Sequence, residues 1–239
     1  MAFKQFMLDD GTAVTIYKRK VSRGLRLSIT PDGLIKVSIP RWAAYGAGLK
    51  FAQSRLDWIK AQHKPPAQLA DGQAVGKAHR IRFEARPGAG RVATRLKGGE
   101  IIVSYPSGQT SASPAVQQAA RRAATRALRQ QAETLLPQRL ETLARSHGFS
   151  YNKVTIKQMK SRWGSCDQHR NIVLNLYLIQ LPWENIDYVI LHELTHTEVL
   201  RHGPDFWQAM ARVLPDAKRL RKAMHAYQPV VHDPAQLMS

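Results

Sequence analysis

At 239 residues with 44% hydrophobic content, the chain is long enough for one large globular domain or two small ones with a real core. Lys and Arg number 36 against 17 Asp and Glu, a formal charge of +19, which favours a polyanionic partner such as nucleic acid. The single cysteine, Cys166, excludes an intramolecular disulfide framework, and no apolar run approaches the ~18 residues of a membrane span. Asp9 and Asp10 stand where an export signal needs its apolar core, so a cytoplasmic location away from any membrane is expected.

Residues 3–39 alternate as strands do, through Val14 and Ile16, Leu25, Leu27 and Ile29, then Ile35, Val37 and Ile39. Pro31-Asp-Gly33 makes 24–39 a hairpin. A helix is predicted from Ala43 to about His63, ended by Pro65-Pro66. Strand patterns return over 79–85, 92–96 and 100–105, separated by Pro87-Gly-Ala-Gly90 and Gly98-Gly99. The segment 107–114 is linker-like, with Ser113 as a helix cap and Pro114 as the first helical residue. Ala, Gln, Arg and Leu then dominate to His147, with Pro137 expected to kink or split the helix and Gly148 to end it. Arg121, Arg122, Arg126 and Arg129 form a basic stripe whose simplest reading is a solvated face. Strands are predicted over 154–159 and 171–178, on either side of Ser161-Arg-Trp-Gly-Ser-Cys166. Short helices follow over 204–214 and 215–227, then a frayed tail. The chain therefore reads as α+β: a β-rich module with one helix over 1–112, then a largely helical domain over 113–239.

Apolar residues at 186, 189, 190 and 194 place the stretch before His196 on a helix, so His192 and His196, four apart, share one face with Glu193 beside them. This spacing suits a catalytic zinc ion, which takes three protein ligands and keeps a fourth position open for water, with a carboxylate near enough to accept the water's proton. Glu198, His202 and Asp205 all lie within sequence reach as the third ligand. His202 is preferred because five residues separate it from His196, the separation in the extended zinc-protease signature. That signature places a glycine where Val199 stands, so the turn after the helix must be built differently, with Arg201-His-Gly-Pro204 as the candidate corner. Cys166 is read as a small buried hydrophobe, with a soft metal ligand as the alternative.

From residue 157 onward the order of features resembles the YgjP-like metal-dependent hydrolases, a minimal zincin group related to SprT-like proteases. The match lies in Lys160-Ser-Arg-Trp-Gly-Ser-Cys166, Asn171-Ile-Val-Leu-Asn175, Ile186 to His196, and His202 with Phe206-Trp207. Arg23-Gly-Leu-Arg26 and the helix through Phe51 to Lys60 extend it loosely into the first half. Thr195 stands where related sequences often have cysteine. The resemblance implies a minimal zincin domain with His202 as third ligand, and an edge strand at 171–178 that aligns an extended peptide by main-chain hydrogen bonds. The implied function is a zinc-dependent metallopeptidase in which Glu193 assists attack of a zinc-bound water on a peptide or protein substrate. Arg162 and Tyr177 are candidate transition-state or substrate contacts. Alternatives are a nucleic-acid-associated SprT-like protease, suggested by His202-Gly-Pro-Asp-Phe206 and the charge, and a basic nucleic-acid-binding module with a structural metal.

Overall fold

The computed structural model describes residues 3–20, 24–29, 35–62 and 67–231. The fold is α+β, and the chain divides into two compact units, Met1–Ala67 and Gln68–Ser239. Pro31-Asp-Gly33, Arg23, Pro65-Pro66 and the last eight residues, to which turns, a family match, a helix stop and a frayed tail were ascribed, lie outside the described residues.

In the first unit β1 (Phe3–Met7), β2 (Ala13–Arg19), β3 (Arg26–Ile29) and β4 (Ile35–Pro40) form one sheet in the order β1-β2-β4-β3. The pairings are β1/β2 antiparallel, β2/β4 parallel and β3/β4 antiparallel, the last being the predicted hairpin. Alternation sends Val14, Ile16, Ile35, Val37 and Ile39 to one buried face. Two helices, α1 (Tyr45–Gln53) and α2 (Leu56–Gln62), stand where one was expected. The break falls where the Ser54 hydroxyl donates to the Phe51 carbonyl and the Arg55 N–H turns back to Ala52, closing α1 by local bonds. Gly48 brings α1 against the sheet, since a Cβ there would meet Ile16 and Ile39 at 3.0 Å.

The second unit begins with β5 (Ala74–Val75), β6 (His79–Arg86), β7 (Ala93–Lys97) and β8 (Glu100–Pro106), in the order β5-β6-β8-β7. The helix α3 (Pro114–His147) follows. Within this unit Ile81, Ile101 and Val103 of the sheet share one buried cluster with Val116, Ala120, Ala124 and Leu128 of α3. Buried glutamines tie the two together. Gln117 bonds both the N–H and the carbonyl of Leu69, and Gln131 accepts from Lys77 and Ala78 and donates to Val75.

Ser113 precedes α3 as expected, but its hydroxyl oxygen accepts from the Thr110 N–H instead of capping the helix. The helix also runs unsplit through Pro137, so of the expected kink or split the split does not occur. A helical proline costs about 3 kcal/mol, and here fully buried Leu136 and Leu140 anchor both sides of the defect. Gly148, left-handed at φ 74°, ends the helix as predicted. Of the basic stripe, Arg126 donates to Thr94 and Arg129 pairs with Glu133 at 3.7 Å.

A three-stranded sheet comes next, β9 (Lys153–Lys157), β10 (Gly164–Cys166) and β11 (Asn171–Asn175), in the order β10-β11-β9. The strand predicted over 171–178 stops at Asn175. Its side-chain oxygen accepts from the Tyr177 N–H and starts a 3-10 turn, Leu176–Gln180. Nor is this strand an edge. Antiparallel β10 and parallel β9 occupy both sides of β11, so its main chain is already paired.

The remaining helices are α4 (Trp183–Thr195), α5 (Pro204–Val213) and α6 (Ala217–Met224). Arg139 of α3 grips Asp187 of α4 through a two-pronged ion pair of 2.7 and 2.6 Å. Lys77 donates to the Leu181 carbonyl at 2.6 Å and lies over the Trp183 ring, fixing the entry to α4. Among the described residues no helix is long and apolar enough to cross a membrane.

Candidate metal centre

Helix α4 buries Ile186, Val189, Ile190 and Leu194 in the core and carries His192 and Glu193 in its last turns, with His196 at its C-terminal boundary. Buried Thr195 satisfies its hydroxyl by donating to the Leu191 carbonyl one turn back, so a polar residue at this position carries no unmet hydrogen bond. Beyond His196 the chain turns with Glu198 and Val199 N–H groups on the Thr195 carbonyl. No residue from 196 to 203 takes a positive φ. Valine at 199 is therefore compatible with this turn, where the longer signature has glycine.

This turn brings His202 back over the helix. Its Nε2 lies 2.9 Å from His192 Nε2 and 3.1 Å from His196 Nε2. His196 Nδ1 sits 3.0 Å from the Val199 carbonyl, which can only accept, so the proton is on Nδ1 and Nε2 presents a lone pair to the cluster. Burial, then the neighbouring imidazoles, hold His192 down to about 3, and burial also lowers His196, so both rings are neutral. One proton on His202 Nε2 can satisfy only one of its two close contacts, and the other nitrogen then faces it with no hydrogen between them. A divalent cation removes that conflict, and nitrogens bound tetrahedrally at ~2.0–2.1 Å stand a little over ~3 Å apart. The residues thus fit a metal ion. Among the described residues these three histidines form the one group able to hold one, without Cys166, Glu198 or Asp205.

Glu193 is 5% exposed, and burial pushes its carboxyl up to about 8 against the opposing pull of Arg162. It packs on the backbone of β10: a Cβ on Gly164 would lie 2.5 Å from its Oε1 and 2.7 Å from its Cγ. Cys166 is half-buried, and burial followed by the Glu193 charge raises its thiol to about 11, so it stays protonated. Of the two candidate contacts, Arg162 lies within electrostatic reach of Glu193, whereas the buried Tyr177 hydroxyl accepts from the Gln158 amide at 2.8 Å.

Two supporting residues carried no role in the sequence reading. Asn175, fully buried, donates to the Met159 and Arg162 carbonyls at 2.9 and 2.8 Å, and its own N–H meets the Trp163 carbonyl. It knots the loop that delivers Gly164 to Glu193. Asn175→Ala leaves these carbonyls without their donor and is expected to cost about 2–3 kcal/mol in denaturant unfolding; a change below about 0.5 kcal/mol would remove the knot from this account.

Phe206, fully buried in the first turn of α5, sets its ring centroid 4.5, 4.8 and 4.9 Å from those of His196, His202 and His192. It forms the apolar wall of the imidazole cluster. Phe206→Ala should destabilise the metal-free protein by about 3–5 kcal/mol, read as a shift in urea midpoint, because the cavity opens beside three ordered rings. Neither residue has a sequence signature of its own beyond its place in the resemblance.

No curated protein matches the chain. Two solved structures are similar over part of it. The metallopeptidase zymogen of Pyrococcus abyssi abylysin is 24% identical, covering 41% of this chain and 100% of its own, with a TM-score of 0.36. The metallopeptidase zymogen of Methanocaldococcus jannaschii jannalysin is 21% identical, covering 38% and 93%, with a TM-score of 0.34. The family model for the YgjP-like metallopeptidase domain matches residues 23–227, most of both compact units, and the chain belongs to that family of metal-dependent peptidases.

Proposed function

We propose that the chain is a zinc-dependent peptidase in which His192, His196 and His202 hold the ion and Glu193 is the general base. The observation that carries this reading is the convergence of three imidazole nitrogens beside one buried carboxyl. An ion held there supplies Lewis acidity, polarising a peptide carbonyl and acidifying water. Glu193 takes a proton from the attacking water and delivers it to the leaving amine, so one carboxyl serves both halves of the reaction. The Gly164 backbone fixes the carboxyl, and burial keeps bulk water from it. Arg162 is the side chain we assign to developing negative charge, and Tyr177 we assign to the structure of the 3-10 turn.

The substrate-aligning strand is β10 in place of β11. Among the described residues its outer edge pairs with no strand, and its first residue touches Glu193, so an extended peptide added along Gly164–Cys166 would present its bonds to the carboxyl. Main-chain pairing of this kind accepts many sequences.

The test is metal content by elemental analysis, together with hydrolysis of an unstructured protein before and after chelation. One zinc per chain and activity lost on chelation and restored by zinc are expected. His202→Ala should weaken zinc binding at least ~100-fold while Asp205→Ala leaves it within ~3-fold. Loss of metal in the aspartate variant alone would overturn the ligand assignment.

A further inference from the structure

The first unit carries a surface separate from the imidazole cluster and Glu193, which belong to the second. Helices α1 and α2 cover one face of its four-stranded sheet. The opposite face carries the alternate residues. Strand register aligns Phe3, Tyr17, Ser38 and Arg26 in one row across all four strands, with Lys36 and Ser28 in the next. Phe3 is 60% exposed, its ring 5.5 Å from that of Tyr17, and the Lys36 ammonium lies over the Tyr17 ring at 5.8 Å.

Charge on this unit is segregated. Residues 1–67 hold twelve Lys and Arg against four Asp and Glu. The described carboxylates belong to the helical side: Asp9 accepts from Gln53 of α1, Asp10 pairs with Lys60 of α2, and Asp57 lies in the first turn of α2. The open face has rings, hydroxyls and cations, and no carboxylate among the described residues.

We infer that this open sheet face binds a single-stranded polynucleotide, with Phe3 and Tyr17 stacking unpaired bases and Lys36 and Arg26 taking phosphates. Adjacent rings, tilted 32° to one another on a partly exposed four-stranded sheet, offer π faces that any base can stack on, and the cations track the backbone. An acidic peptide would use the cations and leave the rings idle. A duplex hides the base faces that the rings require.

The experiment is fluorescence anisotropy of a labelled twelve-nucleotide oligothymidylate titrated with the full chain over a series of salt concentrations. Tyr17→Ala and Phe3→Ala should each weaken binding about ten-fold. Lys36→Gln should weaken it and lower the slope against log salt by roughly 0.7. Arg122→Gln, on the exposed stripe of α3, should change it less than about three-fold, and a duplex of equal length should bind at least about ten-fold more weakly. Phe3 is too exposed to matter to the core, so its variant stays folded and keeps the test decisive if Tyr17→Ala does not. Absence of binding, ring variants that bind like the parent, or equal affinity for duplex would each overturn the inference. None of these results depends on metal content or hydrolysis.

Discussion

Glu193→Gln is expected to purify with a full complement of metal and to hydrolyse peptide bonds roughly 10²–10⁴-fold more slowly than the parent. The amide matches the carboxyl in size, so packing on Gly164 survives and the three imidazoles keep their places. What disappears is the ability to accept a proton. Stability should hold, because burial already keeps the carboxyl largely uncharged near pH 7 and the amide matches it in size and charge. Elemental analysis, kcat and a thermal melt on the same preparation decide the matter. Full metal with undiminished kcat would remove Glu193 from the proton-transfer role and require another base.

Gly164→Ala is expected to be nearly as damaging to catalysis through a residue without a side chain. Gly164 has no left-handed φ to require glycine, so its role is space. The added methyl must occupy the position where Glu193 Oε1, Cγ and Cδ now lie within 2.5–2.8 Å of it. Three-residue β10 is paired to β11 and knotted by Asn175, so the side chain of Glu193 yields before the strand does. A displacement of about 1 Å at a general base costs on the order of 10²-fold in rate. Metal binding should persist, since none of the three imidazoles is in the clash.

A double-mutant cycle in metal-free protein separates this from simple unfolding. Gly164→Ala alone should cost about 1–3 kcal/mol by overpacking. In a Glu193→Ala background the same methyl enters vacated space and should cost about 1 kcal/mol less, a coupling outside additive behaviour. Additive costs would mean that the methyl disturbs something other than Glu193.

The parts of the site that were legible in the sequence are those written in short-range periodicity. His192, Glu193 and His196 fall on a single helical turn, and apolar residues at 186, 189, 190 and 194 put that helix against the core with this turn at its end. The strands of the first sheet were legible from alternation, and Gly148 from its place after a helical run. Other elements carried no such signal. Three residues, Gly164–Cys166, are too few to alternate, so periodicity marks no strand there, and the edge that the resemblance implies at 171–178 lies instead at β10. The turn at Asn175 depends on one side-chain oxygen competing with a strand ladder, which composition does not reveal. Pro137 was read by its local cost, and core anchoring on both sides overrode that cost.

By itself, then, the sequence determined that His192, Glu193 and His196 share the end of one helix, because that depends on positions three or four residues apart. Tertiary structure decided which residues surround that set. Only folding brings His202 over the helix without a left-handed turn and packs Phe206 against three imidazoles. Only folding lays Gly164, twenty-nine positions before Glu193, against its carboxyl. It also buries Ile81, Ile101 and Val103 of one sheet in a common cluster with α3. Such contacts are fixed by the burial of apolar surface between elements distant in the chain, and no local pattern encodes which elements meet.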